Sequence, residues 1–173
     1  MLVASILVVF PFCMAFAAVS DLLSMTIANR VALVLVGTFA VLAPMTGMEW
    51  SVYGMHFAAF ALVLLVTFTM FALGGMGGGD AKLIAATAIW MGFGPVLFTY
   101  LLVSAGIGGL LTIAILAYRG SALEVYTGSN IFLRNLADPA KGVPYGIALG
   151  IGGLFVFPDT PLAAWALAQL GGL

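Results

Sequence analysis

"GGMGGGDAKLIAA", residues 74–86, sets five glycines, an aspartate and a lysine into a chain that is otherwise almost entirely apolar. Glycine at that density interrupts a helix, and the apolar run that follows, AKLIAATAIW, starts a new one. The stretch therefore reads as a polar break between two helices, with long apolar segments on either side. What those segments require as solvent decides the fold.

Of 173 residues, 64% are hydrophobic and 6% are charged, against roughly 25% charged in an ordinary soluble domain. Five basic and six acidic side chains cannot clothe a water-facing surface, so the chain reads as an integral membrane protein with the bilayer as its solvent. A net charge of -1 excludes a basic nucleic-acid surface. The single cysteine, Cys13, lies inside an apolar run. It reads as a small buried hydrophobe, with no disulfide framework and no metal cluster expected. No cofactor is expected either. The opening residues, MLVASILVVFPFCMAFAAVS, contain an A-x-A pattern at Ala15 and Ala17. They lack a basic n-region and are apolar for too long, so they read as a spanning helix and not as a signal peptide.

A spanning helix needs about 20 apolar residues to cross roughly 30 Å of hydrocarbon. Dividing the chain at its charges and breakers predicts an all-α polytopic membrane protein, a single domain over residues 1–173, with six transmembrane helices and a glycine-rich break before the fourth. The predicted spans are 2–20, 29–46, 52–73, 80–93, 96–118 and 143–157. Residues 83–118 carry no charge and are too long for one crossing, so "GFGP" at 92–95 is taken as the turn inside them. The apolar tail LAAWALAQLGGL is expected to lie along the interface or to lengthen the last crossing. In the polar connection 119–142, "NIFLRNL" offers Ile131, Phe132, Leu133 and Leu136 as one face of a short amphipathic helix on the membrane surface. "SAGIGGLL" at 104–111 has the small-residue spacing of a helix-packing face.

Lys and Arg are retained on the cytoplasmic side. Arg30, Lys82, Arg119, Arg134 and Lys141 all fall in odd-numbered connections, which predicts both termini outside and places Asp21 and Asp80 together on the cytoplasmic side. Asp80 begins a helix of only about 14 residues, roughly 21 Å long, so it is expected below the inner membrane surface. An ionisable group at that depth costs about 2.5–3.5 kcal/mol on insertion scales and is a functional-site candidate by default. Gly77, Gly78 and Gly79 are expected to supply unusual backbone conformations and close approach beside a wet cavity. Two carboxylates sharing such a cavity do not both ionise readily. One can take a proton from water while its protonated neighbour polarises a carbonyl, which is the chemistry of an aspartic peptidase. Capping of the following helix is the plain alternative for Asp80, and termination of the first span the plain alternative for Asp21. Lys82 reads first as an orienting, snorkelling charge and second as a modulator of Asp80. Asn29 and Arg30 read as interfacial polar residues. His56 falls on the outer half and is left out of the site.

The order of an aspartate followed by "TIAN", then "GGGDAKLIAA", then "KGVPYGIALGIGG" resembles the prepilin peptidases, GxGD intramembrane aspartyl proteases, over essentially the whole chain. The resemblance implies Asp21 and Asp80 as the catalytic pair, with Gly77 and Gly79 as the glycines of GxGD and no metal. It implies a prepilin substrate, a basic leader joined to an apolar helix, cut at the cytoplasmic face of the inner membrane. The chain is most similar to the short Flp/Tad-type form, without the cysteine-bearing domain of bifunctional methyltransferase relatives. An archaeal-type preflagellin peptidase is the more distant alternative within the family. Pro144 and Tyr145 are implied as cavity-shaping residues. The chain departs from the family at Ile27-Ala28-Asn29, where many relatives have Ile-Pro-Asn. Outside the family, a small ion-coupled transporter would also use paired acids and broken helices. It would be expected to hold them near the membrane midplane and to show repeats. A non-catalytic membrane subunit would explain the small-residue packing and leave the two acids unexplained.

Overall fold

A computed structural model of the chain describes residues 1–171. The protein is all-α. The helices run α1 Leu2–Ser24, α2 Asn29–Met45, α3 Trp50–Ala72, α4 Gly78–Met91, α5 Pro95–Tyr118, α6 Ala122–Thr127, α7 Arg134–Ala137, α8 Tyr145–Val156 and α9 Pro161–Gly171, with a 3-10 turn at Phe157–Asp159 between the last two. By length and apolarity, α1, α3 and α5 are long enough to cross a membrane, and α8 with α9 forms a fourth candidate if that pair, bent by 50°, is one span. The protein is thus a multi-pass membrane protein. Six crossings were expected, and length and composition support three or four. The two helices that fall short have different reasons. The apolar α2 has only 17 residues, and α4, with 14, is surrounded by protein. From Ala81 to Met91 every residue of α4 except Lys82 is buried. It packs against α2, α3 and α8, so protein and not lipid is its immediate solvent.

Most predicted boundaries sit within two or three residues of the helices formed. The exception that matters is the end of α1. Asp21 does not stop the helix, which continues to Ser24 and ends on Met25 in the left-handed conformation (φ 55). Asp21 therefore lies within the last turn and is buried. The described part of the chain tail forms α9, which with α8 makes the bent candidate span, in line with a lengthened last crossing; residues 172 and 173 of the tail lie outside the described residues. Leu162, Ala163 and Ala166 of α9 are fully buried, and α9 packs against α1. "NIFLRNL" does not form the amphipathic helix expected of it. Ile131 and Phe132 are exposed in a turn, and only Arg134–Ala137 is helical.

Close packing of α8 follows from its glycines. A Cβ on Gly150 would stand 2.9 Å from the Met14 carbonyl oxygen, and one on Gly153 would stand 2.6 Å from Met14 Cε. These two, with Gly146, form the face that lets α8 lie directly on α1. Gly152 faces the other way, onto Ser104 of α5, and Gly108 of α5 receives the ring of Tyr145. The small-residue pattern of 104–111 is therefore used for packing at Ser104 and Gly108, where small side chains allow backbones to approach. At the end of the bundle away from Asp21, Phe10, Phe39, His56 and Trp90 form an aromatic cluster. There Trp90 Nε1 donates to the Leu35 carbonyl at 2.9 Å, and His56 Nδ1 is 2.6 Å from the Ile89 carbonyl oxygen. His56 is thus a buried packing residue far from the acids. Cys13 is likewise buried.

Candidate active site

Asp21 comes from the last turn of α1 and Asp80 from the first turn of α4. Antiparallel succession of the helices brings the end of one to the start of the other. The two side chains line the same two cavities. The larger, about 690 Å³, is walled by Met25, Met70, Met76, Val143 and Tyr145 as well as the two acids. The smaller, about 300 Å³, is walled by Thr26, Ile27, the three glycines 77–79 and Lys82.

The geometry at each acid is distinct. Asp21 Oδ2 accepts a hydrogen bond from the Gly146 amide at 2.7 Å, in the first turn of α8. This fixes the carboxylate and leaves Oδ1 to accept another donor. Asp80 does not cap its helix. Gly77 occupies the N-cap with no side-chain hydrogen bond, and Asp80 sits three residues on. Asp80 is thus not the N-cap itself but an acid in the first turn of α4, a position that also suits the helix dipole.

The GxGD pattern has a steric basis here. A Cβ on Gly77 would be 2.8 Å from Asp80 Oδ2, and one on Gly79 would be 3.3 Å from Ile27 Cβ and 3.4 Å from the Ile27 backbone nitrogen. At Gly78 the obstacle is only the Phe71 ring, 3.0 Å away at Cε2 on an exposed side chain that can swing aside. The first and third glycines are thus needed for space, and the middle one is not. None of the three has positive φ; the left-handed glycine of this segment is Gly74, at φ 77. Close approach, and not unusual conformation, is what Gly77 and Gly79 provide.

Lys82 is exposed, donates to Asn29 Oδ1 and reaches the smaller cavity. It thereby ties the start of α2 to α4. The departure at Ala28 leaves the turn intact, because Ala28 is the N-cap of α2 at φ -64 and ψ 137, values a proline would also adopt. Tyr145 lines the larger cavity as expected, and Pro144 is its buried neighbour at the N-cap of α8. Sequence reasoning missed three residues around this site: Gly146, Asn135 and Lys141. Lys141 lines the larger cavity, and Asn135 is buried against the end of α1. Glycine spacing along "GIALGIGG" was the available signal for Gly146; Asn135 had none. Among the described residues there is no group of three metal-ligating side chains.

A helical membrane protein in which two carboxylates from different helices line one cavity has the layout of a membrane-embedded aspartic peptidase. Residues 8–113 match the model of the type IV leader peptidase family, a span that includes Asp21, Gly77, Gly79 and Asp80. The chain belongs to that family and is an aspartic prepilin leader peptidase. Neither the curated proteins nor the solved structures contain a match to it.

Proposed function

We propose that the chain removes the basic leader from Flp-like type IV prepilins at the cytoplasmic face of the cell membrane, with Asp21 and Asp80 as a catalytic pair that activates water. The observation that carries this reading is that both acids line the same two cavities. In the reaction, one carboxylate accepts a proton from the attacking water while the other, protonated, donates to the scissile carbonyl. The larger cavity, with its methionines and Tyr145, suits an extended segment that leads into an apolar helix. Methionine side chains adapt readily to varied apolar surfaces. Gly77 and Gly79 support the pair by leaving room for Asp80 and for the Ile27 turn. Lys82 acts as a modulator from the smaller cavity.

The proposed topology has six crossings and both termini outside, with α2 and α4 as the two short crossings. It rests on helix alternation, which brings Arg30, Lys82, Arg119, Arg134 and Lys141 to the same end of the bundle as the two acids, the end that the positive-inside rule assigns to the cytoplasm.

Co-expression with a Flp-like prepilin tests the reading through leader loss on a gel. Asp21→Asn and Asp80→Asn are each expected to abolish cleavage while the protein still inserts. Full cleavage by either variant would reject the pair. Cysteines at positions 21 and 80 are expected to crosslink; failure across several linker lengths would count against a shared site.

A further inference from the structure

Between α5 and α8 the chain crosses the Asp21 end of the bundle by the segment 119–144, which carries three of the five basic residues. Topology accounts for their being on that side. It does not account for what two of them do there. Arg119, at the C-cap of α5, donates through Nε to the Leu136 carbonyl at 2.7 Å, and through Nη2 to the carbonyls of Lys141 and Gly142 at 3.0 and 3.2 Å. One planar guanidinium thus grips the segment at both ends of its return path, which a lysine ammonium on its flexible stem does not reproduce. Lys141 in turn donates from Nζ to Asn135 Oδ1 at 2.6 Å.

Asn135 closes the circuit. Its side chain is 3% exposed, and Nδ2 donates to the carbonyls of Leu23 at 2.7 Å and Leu22 at 3.3 Å. Those carbonyls belong to the last turn of α1, where helical oxygens lack intrahelical partners, and they directly follow Asp21. The same segment then runs through Val143 and Pro144 into α8, whose Gly146 amide holds Asp21 Oδ2. Asp21 is therefore fixed from two directions by one segment, through its backbone by Asn135 and through its carboxylate by Gly146.

We propose that Asn135 and Arg119 are positioning residues for Asp21: Asn135 caps the end of α1, and Arg119 holds the return segment so that Asn135 and the Gly146 amide meet the aspartate together. The inference rests on the reading of Asp21 as catalytic. It assigns a task to the connection 119–144, which lies outside the part of the chain that matches the family. Displacing a catalytic group by about 1 Å can cost about 100-fold in rate, so the consequence falls on kcat. The same segment carries Lys141 and Val143, which line the larger cavity, so loosening it changes KM as well, by less than it lowers kcat.

The test uses the full chain in phospholipid bilayers with a Flp-like prepilin. Asn135→Ala and Arg119→Lys are each expected to lower kcat about 10- to 100-fold, more than they change KM, in proteins that still insert and unfold cooperatively at a moderately lower thermal midpoint. A second readout is independent of activity. Spin labels on Ser24→Cys and Leu73→Cys, exposed at the ends of α1 and α3 beside the two acids, in a Cys13→Ala background, are expected to give one narrow distance distribution that broadens on adding Asn135→Ala or Arg119→Lys. Asp21→Asn is run in parallel. If it still cleaves, the catalytic reading has failed. If it is inactive while Asn135→Ala and Arg119→Lys keep full kcat, or while the distance distribution stays narrow in both, the positioning role is overturned. Should Asn135→Ala not insert, Arg119→Lys alone decides by the same two measurements.

Discussion

The amide of Gly146 donates to Asp21 Oδ2 at 2.7 Å, a contact that joins the first and last thirds of the chain at the candidate site. Its closeness leaves no room for a side chain. A Cβ at position 146 would lie 2.8 Å from Asp21 Cβ, 2.9 Å from Asp21 Oδ2 and 3.0 Å from Ile27 Cδ1. Gly146→Ala must push α8 away from α1 or turn the carboxylate from its donor. Overpacking of this kind costs about 1–3 kcal/mol of stability, whereas misplacing the carboxylate costs about 100-fold in rate. The expected outcome is an inserted, moderately destabilised protein with prepilin cleavage reduced by that factor. Thermal unfolding and cleavage kinetics on the same preparation check both halves.

The three glycines before Asp80 are expected to differ in a set order. Gly77→Ala drives a methyl into Asp80 Oδ2 and should lower cleavage about 100-fold, while Gly79→Ala presses on the Ile27 backbone and should lower it about tenfold. Gly78→Ala meets only the exposed Phe71 ring and occupies the first turn of α4. There the replacement of glycine removes backbone entropy from the unfolded chain and gains up to about 1 kcal/mol. It should cleave normally and melt slightly higher. Equal damage at all three positions would show that backbone flexibility, and not space, is what the glycines supply.

How far these relationships could be read in advance differs from residue to residue. Charges and the glycine-rich stretches at 74–79 and 92–94 mark helix ends well, whereas single breakers do not, since Pro11 and Pro44 lie inside α1 and α2. Charge also marks Asp21 and Asp80, since an acid in that setting is costly wherever it lies. The end of α1 departs from the expectation because Asp21, although charged, is held by the Gly146 amide and stays inside the helix. Asn135 was illegible for a different reason. Asparagine in a polar connection is ordinary, and its partners Leu22 and Leu23 lie 113 and 112 positions away, a separation that no local pattern encodes. The amphipathic reading of 130–136 failed because burying Asn135 against α1 turns the segment's polar residue inward and leaves Ile131 and Phe132 outside.

Ala28 is the residue at which the chain departs from its family's Ile-Pro-Asn pattern. It holds φ at -64, and in the turn preceding α2 its amide is not used in a backbone hydrogen bond among the described residues. Proline at such a position costs nothing in the folded state and restricts the unfolded chain, worth about 0.4–1 kcal/mol. Ala28→Pro should therefore raise thermal stability by that amount with cleavage unchanged. A drop in stability would mean that the turn at 25–28 is not the one described.

Met25 is the one non-glycine residue among those described with positive φ, at φ 55 and ψ 31. A side chain in the left-handed region costs roughly 1–2 kcal/mol, and helix ends usually avoid that cost by placing glycine there. The methionine that bears it lines both cavities beside Asp21 and Asp80, so strain and candidate site coincide. Met25→Gly should relieve the strain but add unfolded-chain entropy of about 0.5–1 kcal/mol, for a net gain of no more than about 1.5 kcal/mol. The same change removes a wall from the space proposed for substrate. Cleavage should then show a raised KM for prepilin with little change in kcat, the reverse of the pattern expected for Asn135→Ala. Unaltered KM in a stabilised Met25→Gly protein would show that the strained methionine contributes nothing to substrate binding.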